Sequence, residues 1–104
     1  MARTILIVED DVALANLYKT ELETNGYTVI HVAEGVQALD SIKQNTPDLV
    51  LLDIMLPGKN GLEILQDMRA DDALKEAKVI MLTNFGNEEN VSTALELGAL
   101  DYVM

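Results

Sequence analysis

The sequence has 104 residues, 49% of them hydrophobic, and a formal net charge of −11 from 18 acids against 7 bases. That length fits one domain with a real core and leaves no room for a second. The lack of cysteine excludes disulfides and thiolate metal sites, and the single histidine, His31, leaves no histidine set for zinc.

In chain order the hydrophobic pattern alternates between two kinds of segment. Ile5-Leu6-Ile7-Val8, Leu49-Val50-Leu51-Leu52 and Val79-Ile80-Met81-Leu82 are apolar throughout. Short continuous runs of this kind suit parallel strands covered on both faces. Tyr27 to Val32 is more polar, as an edge strand would be, and Leu100 to Met104 is a fifth strand candidate. Four helices are expected between them. Residues 11–25 place Ala15, Tyr18 and Leu22 on one face and stop at Asn25-Gly26. Residues 34–45 group Val36, Leu39 and Ile42, and residues 61–70 group Leu62, Leu65 and Met68. Residues 88–97 carry Val91, Ala94 and Leu95, with Asn87 as N-cap and Gly98 as stop. The order βαβαβαβαβ predicts an α/β fold with a parallel sheet and right-handed crossovers. No linker, repeat or low-complexity stretch divides it.

The residues that follow the apolar runs carry the chemistry. The first run ends in Glu9-Asp10-Asp11, the middle one in Asp53, and the next in Thr83. Parallel strands bring these ends to one edge of the sheet, where ligands of open α/β folds sit. Taken singly, Asp10 or Asp11 suits a helix cap, and Asp53 a turn before Pro57-Gly58. Taken together, and with the first and middle strands adjacent, at least three carboxylates share a small volume and repel one another. A divalent cation removes that penalty. All-oxygen ligands point to Mg²⁺ rather than zinc. A carboxylate beside such an ion can attack phosphorus and form an aspartyl phosphate.

The acidic pair after ILIV, the segment DIMLPGKNG, the Thr after VIML and the aromatic in GALDYVM together resemble the receiver domain of two-component response regulators. The resemblance is to the single-domain chemotaxis type and runs over the whole chain, 1–104. It implies a doubly wound, flavodoxin-like, five-stranded parallel sheet of order 2-1-3-4-5. It implies Asp53 as the phospho-acceptor, Asp10 as the direct Mg²⁺ ligand, Glu9 acting largely through water, and the Met55 backbone carbonyl as a further ligand. Asp11 matches a position that is not usually a ligand. Pro57 and Gly61 shape the loop, Gly61 through a backbone conformation that a larger residue would resist. Thr83 would hydrogen-bond the phosphoryl oxygen, and Tyr102 matches the switch aromatic. The chain departs from the family pattern at Asn84, where a small residue is common. The family's lysine three residues after the aromatic falls one position beyond Met104, and the final helix is absent with it. The domain is therefore read as C-terminally truncated.

The implied function is acceptance of a phosphoryl group from a sensor histidine kinase on Asp53, with Mg²⁺, in a signalling domain that is not an enzyme acting on other substrates. The alternative is a phosphorylation-impaired interaction or dimerisation module. A haloacid-dehalogenase-like phosphatase would carry a second acid where Met55 stands, and no nucleotide-binding glycine loop is present. The acidity argues against direct nucleic-acid binding by this segment. No apolar stretch approaches the roughly 20 residues that span a bilayer, and the N-terminus is unlike a signal peptide, so a cytoplasmic location is expected. Strand order 2-1-3-4-5 with right-handed crossovers puts the first helix alone on one sheet face. That face should then be covered by a second copy in a homodimer or domain-swapped oligomer, or by a partner chain.

Overall fold

The apolar runs become the strands of one sheet in the computed structural model, which describes residues 3–82 and 88–103. The strands are β1 (Thr4–Val8), β2 (Thr28–Val32), β3 (Leu49–Asp53), β4 (Val79–Leu82) and β5 (Asp101–Val103). The helices are α1 (Val12–Thr24), α2 (Gly35–Asn45), α3 (Gly61–Ala70) and α4 (Glu88–Glu96). All strand pairs are parallel and the spatial order is β2-β1-β3-β4-β5. This is the doubly wound, flavodoxin-like order that the family resemblance implies.

The register explains how both faces of the central strands are used. Val8 lies opposite Leu52 and Ile7 opposite Leu51 on β1 and β3. Leu6, Val8, Val50, Leu52, Val79 and Met81 point to one face and are fully buried. Against them pack Ala38 and Ile42 of α2, Ile64, Leu65 and Met68 of α3, and Ala94 of α4. Ile5, Ile7 and Val29 form a smaller cluster on the other face, with Tyr18 and Leu22 of α1 and half-buried Leu49 and Leu51. Alternation along each strand thus feeds two unequal layers, three helices against one.

Three local expectations are corrected. The face of α2 does not use Val36, which is 68% exposed; it buries Gly35, Ala38 and Ile42. A Cβ on Gly35 would meet the main-chain oxygen of Lys59, so this face works by close approach rather than by bulk. Leu95 of α4 is exposed, while Ala94 is buried. Tyr27 lies outside β2 because its N–H returns to the Leu22 carbonyl at 3.1 Å, part of the C-terminal closure of α1. The predicted cap Asn87 lies outside the described residues.

One cation ties α3 to its neighbours away from the carboxyl ends of the strands. Arg69, in the last turn of α3, donates from Nε to Leu97 O (2.6 Å) and from Nη2 to Gly98 O (3.1 Å). Its Nη1 donates to Lys75 O (3.0 Å) and Ala77 O (2.8 Å). Burial alone lowers its pKa from the usual guanidinium range, and a guanidinium stays charged in proteins. The C-terminus of α4 and the α3–β4 connection are thereby held to one side chain.

Candidate functional site

The site is built from the two chain segments that leave β1 and β3. Val8 pairs with Leu52, so Glu9 and Asp53 are the next residues on adjacent parallel strands. Carboxylate oxygens of Glu9, Asp10 and Asp53 all lie within 4.8 Å of one another. Glu9 is buried at 3% exposure, Asp53 is half-buried and Asp10 is exposed.

The neighbouring acids separate by role. Asp11 is the N-cap of α1: its Oδ1 accepts from the Leu14 N–H at 3.1 Å. Asp10 makes no such cap and stays in the cluster. Asp53 does both jobs considered for it. Its Oδ1 accepts from the Met55 N–H at 3.0 Å, forming a turn, while the carboxylate remains in the acidic group. Met55 is 56% exposed beside it.

The loop after Asp53 is held by backbone contacts. The Ile54 carbonyl accepts from both Leu56 N (3.2 Å) and Gly61 N (3.1 Å). Asn60 caps α3 in a reciprocal pair with Glu63. A Cβ on Gly61 would meet the Asp53 carbonyl oxygen. Gly61 is therefore required for steric clearance, not for a left-handed backbone; the positive φ in this loop, +77°, belongs to Gly58. That corrects the reason expected for Gly61.

Electrostatics single out Glu9. Burial first, then a hydrogen bond to Asp53 and its charge, then the charges of Asp10 and Asp11, push its carboxyl up to about 8. Its Oε2 is buried with no hydrogen-bond partner. Its main chain is anchored to β2, the N–H donating to Val32 O (3.0 Å) and the carbonyl accepting from His31 Nε2 (2.7 Å). An unpartnered buried oxygen facing two further carboxylates is an arrangement that a hard divalent cation would satisfy.

Thr83 and Asn84 lie outside the described residues. Tyr102 is a β5 position paired with Met81 of β4. Sequence reasoning missed His31 as part of the site's surroundings and Arg69 as a fastening point. Neither leaves a pattern, since each acts through main-chain carbonyls remote in sequence.

Comparison with known proteins adds the family. Residues 5–104 match the family described as response regulator receiver domain. The chain belongs to that family. The receiver is 39% identical over 104 residues to the DNA-binding response regulator MtrA of Mycolicibacterium paratuberculosis, covering all of this chain and 45% of the relative. It thus spans less than half of that relative's length. A putative response regulator from Chloroflexus aurantiacus superposes on the receiver with TM-score 0.92 at 34% identity, over 99% of this chain and 84% of that one. The BeF3-activated N-terminal receiver domain of Klebsiella pneumoniae RstA gives TM-score 0.87 at 36% identity, over 96% and 83%. Receivers are signalling domains, and this one places at the expected sheet edge an acidic cluster able to hold a metal. Among the described residues no helix is long and apolar enough to cross a membrane.

Proposed function

We propose that residues 1–104 act as a phospho-accepting receiver domain: Asp53 takes a phosphoryl group from the phosphohistidine of a sensor histidine kinase, in the cytoplasm. An Asp53 carboxylate oxygen attacks phosphorus, the P–N bond to the imidazole breaks, and the imidazole leaves with a proton. The observation that carries this reading is the meeting of Glu9, Asp10 and Asp53 within 4.8 Å around the unpartnered Glu9 Oε2. Mg²⁺ held by these carboxylates and the Met55 carbonyl would neutralise charge that develops on the phosphoryl oxygens. Glu9 and Asp10 would hold the ion, Asp10 directly and Glu9 largely through water, and the Met55 N–H orients the Asp53 carboxylate. A side chain at Gly61 would displace the Asp53 carbonyl, and the Gly61 N–H donates to the Ile54 carbonyl. Thr83 would donate to a phosphoryl oxygen, and Tyr102 would follow as the switch residue. The beryllofluoride-activated form of the RstA relative supports the phospho-acceptor role.

Intact-mass measurement with a small phosphodonor and Mg²⁺ tests this. Wild type should gain one phosphoryl group, and Asp53→Asn none. Labelling that survives Asp53→Asn, or needs no Mg²⁺, overturns the assignment.

The same reading extends to self-association. Among the described residues α1 is the only helix packed on the face that carries Ile5, Ile7, Leu49 and Leu51. Ile80, in register with Leu51, is half-buried there as well. Ile5 and Ile7 are buried beneath α1, and we propose that a second copy covers the half-buried remainder, Leu49, Leu51 and Ile80, in solution. Sedimentation of the 104-residue chain at micromolar concentration should show a dimer; a monomer throughout that range overturns it.

A further inference from the structure

We propose that His31 is a positioning residue for the acidic site: its Nε2–H fixes the Glu9 peptide so that the buried carboxylate faces Asp10 and Asp53. The inference rests on the reading of that cluster as a Mg²⁺ site.

His31 lies on the edge strand β2, opposite Ile7 rather than opposite Glu9. Its ring nevertheless reaches forward to the Glu9 carbonyl at 2.7 Å, across 22 residues of sequence. A carbonyl oxygen only accepts, so Nε2 carries the hydrogen. β1 ends at Val8 and β2 at Val32, and α2 begins at Gly35, so the main chain of β2 has turned away at this level. A longer strand would have offered a backbone N–H here; His31 offers an imidazole N–H instead.

The bond matters because Glu9 is the buried member of the cluster. Its carboxyl lies beside Asp10 and Asp53, and Oε2 has no hydrogen-bond partner. Where that carboxyl sits depends on where the Glu9 peptide sits. Two main-chain bonds fix the peptide, one to Val32 O and one from His31, and both reach β2. The first is ordinary ladder pairing, available to any residue at position 32. The second depends on one side chain. Outer partners that hydrogen-bond a ligating side chain typically change metal affinity by about 10–100-fold when removed, and His31, which holds the ligand's peptide, belongs at the lower end.

Two variants test the proposal, with the Mg²⁺ dissociation constant read by calorimetry and the metal-free Tm read alongside. His31→Leu fills the half-buried place without a donor. His31→Gln keeps an N–H donor at similar reach. His31→Leu should weaken Mg²⁺ binding about tenfold, while His31→Gln stays within about threefold of wild type. The metal-free Tm should not separate the two variants. Should His31→Leu fail to fold, His31→Asn, whose amide falls short of the carbonyl, takes its place. Equal Mg²⁺ affinity in all variants, or an equal loss in the donor-bearing and donor-less ones, overturns the proposal. Wild type that binds Mg²⁺ and accepts phosphoryl alongside an unimpaired His31→Leu sinks the role of His31 alone. Wild type that binds no Mg²⁺ sinks the site reading and the role of His31 with it.

Discussion

Glu9 and Arg69 are both ionisable side chains drawn into the protein, and their surroundings are opposite. Arg69 spreads its guanidinium over four main-chain carbonyls, those of Lys75, Ala77, Leu97 and Gly98. Glu9 has a buried oxygen with no partner and three neighbouring acids. A half-buried cation whose donors meet main-chain carbonyls fastens structure, whereas a buried carboxyl oxygen left unsatisfied among further acids waits for something to bind. The difference separates the scaffold from the site without reference to sequence similarity.

Removing Arg69 should have the largest effect. Arg69→Met keeps the stem and leaves four carbonyls without their donor, so stability should fall by about 3 kcal/mol. Urea unfolding reads this, and Mg²⁺ affinity should be little changed in the folded variant. A loss below about 0.5 kcal/mol would mean that water serves those carbonyls as well as the guanidinium does.

The opposite sign is expected at Glu9. Its folded carboxyl holds a proton up to about pH 8, while its ordinary value is 4.5. Between these values the unfolded chain sheds the proton first. Metal-free stability is therefore greatest below the ordinary value and falls as pH rises through the folded one, at most by roughly 1.4 kcal/mol per pH unit. Glu9→Gln should remove that slope, leaving the metal-free variant more stable than wild type at pH 8 by about 2 kcal/mol and equal to it near pH 4. Mg²⁺ should reverse the ranking. Parallel stability curves for wild type and variant from pH 4 to pH 8 would refute it.

The smallest effect sharpens the division within the acidic run. Asp11→Ala removes the α1 cap and should cost about 1 kcal/mol with Mg²⁺ affinity retained. Asp10→Ala should leave stability nearly unchanged and weaken Mg²⁺ strongly. Equal damage to metal binding from both would show that the cap and the cluster are not separate.

The strands were legible because both layers demand apolar residues, so runs such as Leu49 to Leu52 have almost no polar interruption. The acidic cluster was legible because parallel strands must deliver their ends to one edge, and the pattern put acids directly after two of them. What escaped was burial without bulk. Gly35 and Ala38 form the inner face of α2, and a reading that counts large apolar residues selects Val36 instead. The need for Gly61 was visible, but its cause was not, because close approach of the Asp53 carbonyl is a property of the folded loop. Arg69 and His31 escaped for a related reason: main-chain acceptors leave no residue type to look for.

The fastening at Arg69 also sets how α4 can swing. Two of its four bonds hold Leu97 and Gly98, immediately after the last turn of α4. A lever fixed at that end has its fulcrum there, and displacement grows toward Glu88. A nine-residue helix is about 13 Å long, so a tilt of about 10° carries its far end roughly 2 Å while the near end stays in place. Any displacement of α4 would then be a change of its angle rather than a detachment at Leu97 and Gly98.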